Sequence, residues 1–211
     1  MSKKLIWPLL FLGLVLASWR TYMPGDLNDD VCYVGLACSL SLGHAYQSEW
    51  DVGAPAHLRF PPGFPLLLAP FQWVAPGNYV LCRAVVVVCA CWVMLLLESY
   101  AGWIGIAVLV GVNAYWLNNS SSILSEQPFL VALLIYLKAA ERPLTPRRSL
   151  FLGLGLGLVC SFRTVGIALI PATLLYHWRK RQLDWKLFLL GVALSAGPLL
   201  GRSLLTGYDG E

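Results

Sequence analysis

The stretch Val85–Leu97 carries no charged side chain, and several other runs of the same kind recur along this chain of 211 residues. Such runs restrict a fold more than any motif does, because about 20 consecutive apolar residues in a helix cross a bilayer core of ~30 Å. Composition points the same way. The chain is 58% hydrophobic and 12% charged, with a mean hydropathy of +0.67. Soluble domains carry about 25% charged residues, so too little charge is present to cover an ordinary water-facing surface. The 19 glycines and 13 prolines suit membrane helices. The same figures exclude disorder, collagen and a disulfide scaffold. A net charge of +4 reads as a topology signal rather than a nucleic-acid patch, so no nucleic-acid partner is expected. The six cysteines, Cys32, Cys38, Cys82, Cys89, Cys91 and Cys160, show neither CxxC nor Cys/His spacing, and most sit in apolar runs as small hydrophobes. No metal and no cofactor are expected.

The apolar runs read as an all-α integral membrane protein with about seven transmembrane helices. Leu5–Ser18 follows Lys3 and Lys4, as a signal peptide would, but Trp19-Arg20-Thr21 is a poor cleavage site, which favours an uncleaved first helix. Further spans are expected at Tyr79–Leu97, Gly102–Leu117, Glu126–Ala140, Leu150–Phe162, Thr164–Trp178 and Trp185–Leu205. Phe64–Val74 is short and proline-bounded, an interfacial or half-inserted segment. If the spans alternate, Lys3, Lys4, Lys138, Arg142, Arg147, Arg148, Arg179, Lys180, Arg181 and Lys186 share one side, which is cytoplasmic. Asp26, Asp29, Asp30, Glu49, Asp51 and Glu126 fall on the other. Trp19, Trp103, Trp116, Trp178 and Trp185 sit near span ends, as an aromatic belt does.

The loop 20–62 is thereby extracytoplasmic. Asn28 can cap a helix with Asp29 and Asp30 in its first turn. Tyr33, Leu36, Ala37 and Leu40 then form one apolar stripe, ended by Gly43, which is the pattern of an interfacial amphipathic helix. Asp29, Asp30 and Glu126 are the sharpest chemical feature. Either they complement helix dipoles, or they face a cavity where a lipid-borne substrate meets a water-borne one. Arg163 interrupts an apolar stretch, either snorkelling to the boundary or serving a site. Arg59, Arg163 and, more weakly, Arg83 have the side chain that grips a phosphate with two hydrogen bonds. Gly153-x-Gly155-x-Gly157 is no nucleotide loop, since no strand precedes it; Gly153 and Gly157 have the small-xxx-small spacing of close helix packing. His44 reads as a solvated loop histidine unless the loop folds back on Asp29 and Asp30, and His177 as an interfacial one. Asn118-Asn119-Ser120-Ser121 holds overlapping glycosylation sequons, meaningful only in a eukaryotic secretory setting.

Four segments together resemble a known group. Asp29-Asp30-x-x-Tyr33-x-x-x-Ala37-x-Ser39-Leu40-x-x-Gly43-His44-Ala45-Tyr46 and Arg59-Phe60-Pro61-Pro62-Gly63-Phe64-Pro65 resemble the first external loop of GT-C membrane glycosyltransferases. Ser125-Glu126-Gln127-Pro128-Phe129 and Phe162-Arg163-Thr164-Val165-Gly166 are similar to later landmarks. Nearest in pattern are the protein O-mannosyltransferases, the lipid A aminoarabinose transferases and Rgt-type transferases. The resemblance implies one GT-C-like transmembrane domain over 1–211, in a bacterial inner membrane with the N-terminus cytoplasmic, and corresponds to the N-terminal half of the longer family pattern. It implies an inverting enzyme that moves a sugar from a polyprenyl-phosphate donor to a glycan, lipid or protein acceptor. Asp29 would be the general base and Asp30 its neighbour, with Arg59, Glu126, Arg163, Tyr33 and His44 binding substrate. A positioned carboxylate contributes about 10²–10⁴-fold by removing the acceptor's proton, and a cation would stabilise charge on the leaving phosphate.

Two other readings compete. One is a truncated, non-catalytic remnant or an accessory membrane subunit binding a lipid carrier or a partner protein. The other is a small transporter, disfavoured because Val85–Leu97 and Ile104–Val112 are nearly free of the mid-span polar residues such a pathway needs.

Overall fold

The computed structural model describes residues 6–17, 25, 29–44, 46–48, 50–53, 56–111, 114–180 and 183–205. The described chain is mostly helical: α1 (Ile6–Ala17), α2 (Asp29–Ser41), α3 (Gly63–Val74), α4 (Tyr79–Gly111), α5 (Ala114–Ser121), α6 (Glu126–Ala140), α7 (Pro146–Phe162), a 3₁₀ turn (Thr164–Ala168), α8 (Leu169–Lys180) and α9 (Trp185–Leu205). Local chemistry sets several of these boundaries. Thr145 caps α7, its hydroxyl accepting from the Arg148 N–H, and Pro146 occupies the first turn, where a missing N–H costs nothing. The Asn78 side chain accepts from the Leu81 N–H at 3.0 Å and opens α4. Gly43, at φ 78°, follows the end of α2 in the left-handed region that glycine enters freely. Gly102, at φ 62° and ψ −179°, breaks the helical path inside α4.

The chain forms two compact units, one of Met1–Pro55 with Phe64–Leu134 and one of Ala56–Gly63 with Ile135–Glu211. In the first unit, Phe11 and Val15 of α1, Val87, Ala90, Val93, Met94 and Ile106 of α4, Trp116 of α5, and Val131 and Leu134 of α6 make one buried apolar cluster. In the second, α7 and α9 pack backbone to backbone. A Cβ on Gly153 would collide with the Phe188 carbonyl, one on Gly157 with Ser195, and one on Gly191 with the Leu150 carbonyl. The small-residue spacing read from the sequence is therefore a contact surface between helices.

The expectation of about seven transmembrane helices is corrected. Among the described residues one helix, Tyr79–Leu109 within α4, is long and apolar enough to cross a membrane. The reason is arithmetic. At 1.5 Å per residue, α6 with 15 residues reaches about 22 Å, and α7 with 17 about 26 Å. The described parts of α1 and α8, with 12 residues each, reach about 18 Å, short of a ~30 Å core. The 3₁₀ turn separates Thr164–Ala168 from α8, and among the residues whose side chains are described the apolar stretch of α9 is Trp185–Gly197. The runs at 79–97 and 102–117, expected as two spans, are instead α4 with its break at Gly102 and the short α5. Without seven alternating spans, the placement of a polytopic protein in a bacterial inner membrane loses its basis, as does the assignment of the 20–62 loop to the outer side. Asn28, Lys3, Lys4, Arg20, Asp26, Glu49 and Arg181, used in that assignment, lie outside the described residues.

Candidate functional site

The first unit gathers most of the residues singled out from the sequence. Asp29 and Asp30 form the first turn of α2, where the helix N-terminus favours negative charge, but their settings differ. Asp29 is half-buried, while Asp30 is fully buried at 0% exposure. The Asp30 carboxylate accepts from two backbone groups, the Gly25 N–H at 3.0 Å and the Val31 N–H at 2.7 Å. It thereby ties the approach at Gly25 to the start of α2. Tyr33, one turn on, is buried, meets the Phe64 ring edge-on at 4.9 Å and donates its hydroxyl to Ser125 Oγ at 3.2 Å. Ser125 precedes α6, and its carbonyl accepts from the Phe129 N–H at 3.0 Å. The next residue, Glu126, opens α6 and is half-buried. His44 is exposed just past α2, and its N–H donates to the Ser39 carbonyl at 3.1 Å.

The two arginines expected to grip a phosphate belong to the other unit. Arg59 is exposed, with its guanidinium 5.0 Å from the centre of the Phe60 ring. Arg163 is half-buried at the break after α7; its N–H donates to the Val159 carbonyl, and its own carbonyl accepts from Gly166. Arg83, the weaker candidate, is buried in α4.

Three sets of side-chain hydrogen bonds escaped the sequence reading. Gln72 is fully buried and joins three helices. Its Oε1 accepts from Cys38 of α2 at 2.9 Å and from the Gly77 N–H at 2.7 Å, while its Nε2 donates to Cys82 of α4 at 2.8 Å. The available signal was a polar residue inside the apolar run Phe64–Val74. Beside the sequon segment, Gln127 Nε2 donates to Ser120 Oγ at 2.8 Å, and Ser122 Oγ to the Asn118 carbonyl at 2.8 Å. In the second unit the Tyr136 hydroxyl pairs with Thr173 Oγ1. Burial pushes the Tyr136 phenol up to about 12, since its ionised form would sit away from water. Among the described residues no group of three or more His, Cys, Asp or Glu side chains is placed to hold a metal ion.

No family profile, no curated protein and no solved structure matches the chain. With one membrane-length helix in place of a polytopic bundle, the resemblance to GT-C glycosyltransferases is overturned. The activity, the polyprenyl-phosphate donor and the glycan, lipid or protein acceptor that rested on it fall with it. Four short motifs in an apolar chain satisfied that pattern without the architecture the pattern requires.

Proposed function

We propose that the chain is a non-catalytic accessory protein, held at a membrane by α4 and binding a partner protein through the apolar helix faces it leaves uncovered. The carrying observation is the amount of large apolar surface outside the core. Trp73, Val88, Trp92, Trp103, Phe151, Leu158 and Leu190 are all exposed. Patches of this extent on a protein mark a membrane or protein contact. Only 39% of the membrane-length window of α4 is buried, whereas the core helix of a soluble domain is mostly buried. The exposed faces of α7 and α9 lie on a helix of 17 residues and on one whose described apolar stretch is Trp185–Gly197, and a protein partner covers such faces at any length.

Within this reading Asp30 and Tyr33 hold α2 in its unit. Asp29, His44, Arg59, Glu126 and Arg163 are proposed as polar contacts at the edges of the partner-binding faces, where charge sets specificity more than affinity. The test is photo-crosslinking in cells with benzoylphenylalanine placed at Phe151, at Leu190 and at exposed Arg147. Discrete protein adducts at Phe151 and Leu190, absent at Arg147, are expected. Lipid adducts alone at the two apolar positions would reject a protein partner.

A further inference from the structure

We propose that the second segment of α4, residues 103–111, is an interfacial helix whose uncovered face lies against lipid at the headgroup boundary. This assignment rests on the reading of α4 as the membrane anchor. It gives one uncovered apolar face to lipid and leaves those of α7 and α9 to the partner protein.

The two segments meet at an elbow. Gly102, at φ 62° and ψ −179°, stands in a region that only glycine enters without strain. The bend is tight on one side. Residues four apart in a regular helix hold their Cβ atoms about 5–6 Å apart, whereas a Cβ added at Gly105 would come within 2.6 Å of the Ala101 Cβ. α4 therefore does not run straight past Gly102, and the bare Gly105 lets the second segment close on the first. Beyond the elbow, Ile106 is buried and joins the cluster that holds Val93 and Met94. Trp103, Ile104 and Val108 are 64%, 60% and 56% exposed. Ile104 and Val108 lie one turn apart, and Ile106 faces the other way. The segment thus packs one side on the core and leaves an apolar side uncovered. Residues 99–111 include no charged side chain, so nothing along this stretch holds it in water.

The position of that face along the chain names its occupant. Residues 79–97 reach about 28 Å as helix, close to the ~30 Å hydrocarbon core. Glu98 then marks the edge, since an ionised carboxylate is costly in hydrocarbon. From Glu98 to Trp103 the chain advances about 8 Å at most, so Trp103 stays within reach of the headgroup layer. Tyr100 and Trp103, both exposed, flank the elbow as the aromatic belt of a membrane boundary does. Residues 103–111 reach only about 13 Å, too short to cross the core a second time. A straight α4 would carry Ile104 and Val108 out into water, whereas an elbow at the boundary returns them to lipid.

The experiment puts the purified full chain, with no other protein present, into phosphatidylcholine nanodiscs. Dansylalanine replaces Val88, Ile104 or Val108 one at a time. Nitroxide lipids quench it from the headgroup, from the upper acyl chain or from the chain end, and iodide quenches it from water. Val88, halfway along residues 79–97, should be quenched most from the chain end. Positions 104 and 108 should be quenched most from the headgroup or the upper acyl chain, and only weakly by iodide. Gly105→Val, whose side chain overlaps Ala101, should open the elbow, so that position 108 loses lipid quenching and gains iodide quenching. An unchanged pattern in folded Gly105→Val would overturn the role of the elbow. Positions 104 and 108 open to iodide and untouched by lipid nitroxides, with Val88 still deep, would overturn the proposal, leave the face to a protein and spare the anchor. Quenching of 104 and 108 from the chain end would overturn it as well. Loss of deep quenching at Val88 would reject the anchor itself, and the interfacial helix with it. These depth patterns decide the matter even if Gly105→Val does not fold.

Discussion

The α7–α9 contact and the α2–α3–α4 contact solve the same problem, holding apolar helices together, by opposite means. α7 and α9 approach until backbone meets backbone, because Gly153, Gly157 and Gly191 leave no side chain in the way. α2, α3 and α4 are stitched by one amide, with Gln72 engaging Cys38, Cys82 and the Gly77 N–H at once. The first contact depends on the absence of atoms and fails when atoms are added. The second depends on every hydrogen bond being made, and fails when one partner is removed and the others are left buried and unsatisfied. Helix association at these two contacts is therefore set by the few positions that depart from hydrophobicity or from size.

Gly153→Leu should have the largest effect. Its side chain meets the Phe188 backbone, which cannot rotate aside, and overpacking of this kind costs roughly 1–3 kcal/mol or more. Gly155→Leu is the control, since a Cβ there meets only Tyr136, at 3.8 Å. Urea denaturation should separate the two variants, and equal destabilisation would mean that the glycines do not form the contact. Gln72→Leu comes next, at about 1–3 kcal/mol, and should speed maleimide labelling of Cys38 and Cys82. Unchanged thiol reactivity would remove the amide bridge from the account.

The pH dependence of the second unit is a third, smaller effect. The Tyr136 phenol is held up to about 12 by burial, against ~10 in the unfolded chain. Its contribution is therefore complete below pH 10 and lost as pH rises toward 12, because only the unfolded state releases the proton in that window. The loss should reach about 2 kcal/mol at most, and the difference between wild type and Tyr136→Phe isolates it from the other tyrosines. A difference that does not change with pH between 9 and 12 would contradict the burial argument. Tyr33→Phe is the mildest change. It removes one hydrogen bond to Ser125 and keeps the ring against Phe64, for about 0.5–1.5 kcal/mol in the same denaturation assay.

Much of the helical pattern was legible in residues. Glu126 marks the start of α6, Gly43 the end of α2 and Gly102 the break in α4, because caps and glycines act over one turn and need no partner elsewhere, whereas α7 begins at Pro146, one turn before the expected Leu150. The number of membrane crossings was not legible. Hydropathy averages over a run, while crossing depends on unbroken helix length, and the 3₁₀ turn Thr164–Ala168 shortens a run that composition reads as one span. The site was legible in part. Two acids in the first turn of α2 stand out, but which of them is buried is fixed by Gly25, which precedes them through the chain. The Gln72 bridge was hidden because Cys38 is 34 residues away and neither thiol looks polar in sequence.

The most direct measurement counts the crossings. In a background with the six cysteines replaced, single cysteines at Asn78, Tyr100, Thr145 and Thr164 are labelled with a membrane-impermeant maleimide in sealed, oriented vesicles. Asn78 and Tyr100, at the two ends of the first segment of α4, should label from opposite sides, and Thr145 and Thr164, flanking α7, from the same side. Labelling of Thr145 and Thr164 from opposite sides would make α7 a second span and contradict a protein anchored by one helix.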